Sequence, residues 1–146
     1  MGLIDLIFAG ALALPSQAQR LPPVRAQGLA TIFYANEPGL NNGRLGCVHE
    51  AQRLAGTTIM RDTMPIIAMR PKSMCGRLVY VEHKGRRTLT VVLDRGSWGH
   101  VDIAGNRNVS LNLPAGSRRI TIADLSPAVA AAIGHDGHGR VALRWW

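Results

Sequence analysis

The sequence predicts a mainly β fold: a small barrel of six strands with one or two short helices. Three observations lead there. Short apolar, β-branched runs recur from residue 29 to the end of the chain, each bounded by Gly, Pro, Asn or Asp. No two of these runs are separated by a long helical period, which argues against an α/β sheet built from crossover units. A length of 146 residues suits one hydrophobic core.

The first segment, residues 1–27, stands apart from the rest. Leu3 to Leu14 (LIDLIFAGALAL) has the apolar character of a secretory signal, and Ser16-Gln17-Ala18 is a tolerable small-residue cleavage context. Its charge pattern does not fit, because Asp5 is the sole charged side chain before Arg20. A helix that docks on a partner subunit is the alternative reading. The run falls short of the roughly 20 apolar residues that span a bilayer, so no transmembrane helix is predicted. Leu14 to Gln27 carries three prolines and no apolar period, and reads as an extended linker. The barrel domain is then expected over residues 28–146.

Within it, Leu29 to Tyr34 (LATIFY) is the opening strand, followed by an Asn-, Pro- and Gly-rich loop that leads to Cys47. His49 to Ala55 forms one or two helical turns stopped by Gly56. Pro65 to Ala68 (PIIA) suits a buried strand. Arg77 to His83 and Arg87 to Leu93 flank Lys84-Gly85 as a hairpin. The stretch 97–114, with short apolar segments at 100–103 and 109–113, reads as an insertion or an irregular strand pair. Ile120 to Ala123 is a strand running into a helix over Ala128 to Ile133, for which Ser126 is the N-cap, Pro127 the first helical residue and Gly134 the left-handed terminus. Arg140 to Trp146 alternates as a closing strand.

The formal net charge is +8, and 15 of the 17 basic residues are arginine. These are dispersed along the chain, and two Phe and two Tyr offer little stacking surface, so the pattern argues against nucleic acid as the partner. An anionic wall polymer is an equally good electrostatic match. Cys47 and Cys75 lie 28 residues apart, outside any CxxC or zinc spacing; they read as one disulfide, with two buried free thiols as the alternative. His135 and His138 flank Asp136 in a glycine-rich turn that reads as a solvated loop, not a metal site; no metal and no cofactor is expected.

Three ordered landmarks over about 110 residues resemble the double-psi β-barrel domains of the rare lipoprotein A, expansin and barwin type. They are the opening strand Gly28 to Tyr34, the run Val91-Val92-Leu93-Asp94-Arg95-Gly96, and Ile122-Ala123-Asp124-Leu125-Ser126 with its helix. Cys47 and Cys75 fall where several expansin-like members place cysteines. The resemblance implies a domain directed at cell-wall glycan, peptidoglycan or a related polymer, outside the reducing cytosol. In similar lytic transglycosylases the Asp-Leu-Ser aspartate is the general acid and base, which places that role on Asp124, with Glu50 or His49 assisting. A structural role for Asp124, before a helix N-terminus, competes with it. Asp94 and Arg95 read first as braces that also line the groove, and Trp98 and Tyr34 join them as sugar contacts. Trp145 and Trp146 pack the closing strand or an interface. Where the family carries a histidine before its glycine turn this chain has Met69, which speaks against full activity. The alternative is a non-catalytic phage virion subunit (tail or tail tip) or an envelope subunit, using the barrel to bind glycan or neighbouring virion subunits.

Overall fold

A computed structural model describes residues 20–36, 43–96 and 121–146. The elements are strand β1 (Val24–Ile32), helix α1 (Val48–Ala55), β2 (Ile66–Ala68), a 3-10 turn (Lys72–Met74), β3 (Leu78–His83), β4 (Arg86–Asp94), β5 (Thr121–Leu125), helix α2 (Pro127–Ile133) and β6 (Arg140–Arg144). The six strands close into a barrel in the order β1-β5-β2-β4-β3-β6. β1 pairs with β5 and β2 with β4 in parallel, and the remaining pairs are antiparallel. No helix among the described residues is long and apolar enough to cross a membrane. The segments at 100–103 and 109–113 lie outside the described residues.

Local chemistry accounts for the best-defined pieces. Lys84 (φ 47°) and Gly85 (φ 80°) both take positive φ, as a two-residue type I′ turn requires, and its twist matches the strands it joins. Helix α2 starts where Ser126 accepts a hydrogen bond from the Val129 N–H, has Pro127 at its first position and ends at left-handed Gly134.

Two hydrophobic clusters divide along the period of two. Ile67, Val79, Val81, Val92, Ala123, Leu125, Val141 and Leu143 fill the barrel with Val129, Ala130 and Ile133 of α2. Ile66, Ala68, Val91 and Leu93, which alternate with them, form a second core beneath Ala51 and Leu54 of α1, with Phe33, Leu45, Met60 and Met64. β2 and the end of β4 are therefore buried on both faces, and this is why they read as continuous apolar runs in the sequence.

One boundary differs from expectation. β1 begins at Val24, inside the stretch read as linker, with Val24 opposite Arg144 and Ala26 opposite Leu143 of β6. Closure of the barrel supplies these residues with backbone partners, so tertiary pairing overrides a weak local strand signal.

Candidate functional site

Asp94 and Asp124 meet at β2. Ala68 is the register partner of Asp94 on one side and of Asp124 on the other, so the two aspartates stand at one level, roughly 10 Å apart by two strand spacings. Their environments differ. The Asp94 carboxylate is 8 % exposed and accepts hydrogen bonds from the Gly46 N–H (2.6 Å) and the Arg95 N–H (2.8 Å). Burial raises its pKa above the ordinary carboxylate value, and the two N–H groups oppose that rise. A Cβ on Gly46 would sit 3.1 Å from the Asp94 carboxylate oxygen and from the Arg95 backbone nitrogen, so the close approach needs glycine. Asp94 thus ties the loop before α1 to the end of β4.

Asp124 is half-buried in β5, and its carboxylate accepts a hydrogen bond from the Thr31 hydroxyl, Thr31 being its register partner on β1. The N-cap of α2 is Ser126, as expected. Ser126 is fully buried; its hydroxyl donates to the Met64 carbonyl (2.6 Å) and accepts from the N–H groups of Ile66 and Val129 (3.3 Å each). One side chain therefore caps α2 and fixes the entry of β2.

Cys47 and Cys75 are joined in a disulfide, with Cα atoms 5.6 Å apart, and the free-thiol alternative is set aside. Both halves are pinned to β4: the Cys47 N–H donates to the Leu93 carbonyl (3.1 Å) and the Gly76 N–H to that of Val92 (2.7 Å). Gly76 has φ +81°, and a Cβ there would lie 3.0 Å from the Glu50 side chain. Glu50 accordingly packs over the disulfide turn on α1, with Arg53 close by, while His49 is exposed on the same helix. Asp124 has Thr31 of β1 as its hydroxyl partner, so the two expected acids sit on different elements with different neighbours.

Arg95 is exposed, and its guanidinium donates from Nε and Nη2 to the Arg70 carbonyl (3.4 Å each). Tyr34 lies 46 % exposed just past the end of β1, where the Phe33 N–H holds the Leu125 carbonyl (3.0 Å). Met69 is buried in the inner core, and its backbone N–H donates to the Asp94 carbonyl (3.2 Å). Trp145 is buried and Trp146 exposed. Trp98 lies outside the described residues.

Of the turn after α2, only His135 departs from the solvated loop expected. His135 is buried against His83, edge to face with ring centroids 4.7 Å apart. His135 Nε2 donates to the Gly139 carbonyl and its Nδ1 accepts from the Gly137 N–H, while His83 Nδ1 donates to the Arg140 carbonyl. Backbone groups engage these rings, and His138 alone of the turn's two histidines is exposed. Among the described residues no group of three or more His, Cys, Asp or Glu side chains is placed to hold a metal ion.

Sequence reasoning missed Thr31 and the double role of Ser126. The signal for Thr31 was its place in the opening strand, but its partner depends on the parallel pairing of two strands some ninety residues apart in the chain.

No protein-family model and no curated protein matches this chain. Among solved structures it is similar to the Streptomyces papain inhibitor (SPI), at 16% sequence identity and a TM-score of 0.43, over 85% of this chain and 99% of that chain.

Proposed function

We propose that the chain is a double-psi barrel domain of the rare lipoprotein A and expansin type, directed at cell-wall glycan in an oxidising compartment, with Asp124 as its general acid and base. The observation that carries this reading is the half-buried Asp124 carboxylate, set by Thr31 and level with Asp94 across Ala68. Asp94, enclosed by the Gly46 and Arg95 N–H groups, serves as the brace, leaving Asp124 for chemistry.

In the proposed reaction the protonated Asp124 gives its proton to the glycosidic oxygen as the bond to the anomeric carbon breaks. A hydroxyl of the same sugar then attacks that carbon and returns its proton to the Asp124 carboxylate, closing an anhydro ring without water. Thr31 orients the carboxylate, and exposed Tyr34 and Arg95 contribute sugar contacts. The disulfide supports placement outside the reducing cytosol.

Met69 favours a second reading, in which the same barrel binds glycan, or neighbouring subunits of a virion or envelope, without cleaving a bond. An apolar side chain closed into the core supplies no proton where the resembling enzymes carry an imidazole. Incubation with purified peptidoglycan and mass analysis of the products separates the two. Anhydro-muropeptides released by the wild type and abolished in Asp124→Asn establish the enzyme. Pelleting with the insoluble glycan and no release establishes the binding module. Neither release nor pelleting refutes both.

A further inference from the structure

The barrel wall opposite the second core carries a surface that the Asp124 reading does not use. In-register partners share a face of a sheet, which sets two rows across β4, β3, β6 and β1: Arg87, Glu82, Ala142 and Gln27, then Leu89, Tyr80, Arg144 and Val24. Val79, Val81, Val141 and Leu143 alternate with them and point into the barrel, so both rows lie on its outer wall. The cover that α1 provides lies over β2 and the end of β4 instead.

Two features of this wall stand out. It is apolar in patches: Leu78, one step beyond Tyr80 along β3, is 44 % exposed, and Trp146 beyond the end of β6 is 70 % exposed. It is also strongly cationic. Arg87 and Arg144 both pair with Glu82, the one carboxylate of these rows. Arg77 donates to the Trp146 backbone oxygen (3.3 Å) and Arg25 to the Trp145 carbonyl (3.2 Å). The Trp145 carbonyl orients the Arg25 guanidinium without neutralising it, so Arg25, Arg87 and Arg144 outnumber the Glu82 carboxylate, with Arg77 at the Trp146 end of the wall.

We infer that this wall, centred on Tyr80 and Trp146, docks an acidic polysaccharide. Planar guanidinium forks match carboxylates, and the exposed Trp146 and Leu78 with the half-buried Tyr80 offer flat or apolar contact to the faces of sugar rings. The disulfide favours an oxidising compartment, and acidic glycans are polyanions of such compartments. Nucleic acid would also call for a longer run of stacking aromatics than this face provides. The inference does not depend on Asp124 acting as acid and base.

The test uses the full oxidised chain titrated by calorimetry with linear polygalacturonate, with neutral dextran of equal length, and with a single-stranded DNA oligomer. Polygalacturonate is expected to bind, dextran to bind at least tenfold more weakly, and the affinity to fall about tenfold between low and moderate salt as the charges are screened. Arg77→Gln with Arg87→Gln should weaken binding about tenfold, while Arg53→Gln with Arg61→Gln, an equal loss of charge elsewhere, should change it less than twofold. Amide chemical shifts of the wild type on adding polygalacturonate should move at Tyr80, Ala142 and Arg144, a readout that stands if a variant fails to fold. Equal losses in the two double variants, tighter binding to DNA, shifts confined to other faces, or absence of binding would each overturn it. Asp124→Asn leaves this binding unchanged, which separates it from the cleavage proposal.

Discussion

Removing the Cys47–Cys75 bridge tests how far this small barrel depends on a constraint of its unfolded chain. The bond closes a separation of 28 residues. In the chain-entropy treatment a loop of that size removes about 12 cal/mol/K from the unfolded ensemble, or about 3.6 kcal/mol at 25 °C. Against the roughly 5–15 kcal/mol typical of a folded domain, that is a large share. Equilibrium urea unfolding of the oxidised protein and of Cys47→Ala/Cys75→Ala measures it. With a slope of about 1.5 kcal/mol per molar, the midpoint should fall by about 2.4 M. The reduced wild type, which keeps both sulfur atoms, should give nearly the same loss, because the effect resides in the cross-link. Kinetics sharpen the test: a constraint on the unfolded chain should, when removed, slow folding and leave the unfolding rate nearly unchanged. A loss under about 1 kcal/mol, or one expressed wholly as faster unfolding, would refute the reasoning. The second result would mean that the bridge acts by holding the Gly46 loop and Gly76 onto β4.

Two further outcomes follow from buried polar groups. Ser126→Ala should cost about 2–3 kcal/mol, since it removes a helix cap and leaves the Met64 carbonyl and Ile66 N–H without their hydroxyl partner; a drop of about 6–10 °C in the melting temperature checks it. For Asp94 the folded chain holds its proton more tightly than the unfolded chain, so its contribution to stability is greatest below the ordinary carboxylate pKa and declines as pH rises through the raised value. Asp94→Asn, which keeps an oxygen for Gly46 and Arg95, should therefore gain on the wild type as pH rises from acid to neutral; denaturation curves at several pH values measure the variant's stability minus the wild type's, and a difference that falls as pH rises would contradict it.

The sequence by itself determined the elements whose causes are local. The Lys84-Gly85 hairpin, the Ser126-Pro127 start and Gly134 stop of α2, and the buried runs of β2 and β4 rest on turn chemistry, capping and apolar pattern within a few residues, and all stand where they were expected. The fold class followed from their number and from the absence of crossover helices. What the tertiary structure alone decided is which distant residues became neighbours. Val24 to Gln27 are strand because β6 needed a partner there, not because of their own propensity. Thr31 reaches Asp124 because β1 and β5 pair in parallel, and Ala68 stands between two aspartates because β2 pairs with β4 in parallel and with β5 antiparallel, across long stretches of chain. His135 is buried, despite its glycine-rich surroundings, because His83 of the β3–β4 hairpin packs against it. A short stretch of sequence carries its own periodicity and turn preferences, but the partner of a strand is chosen by closure of the whole barrel, and no local residue pattern encodes that choice.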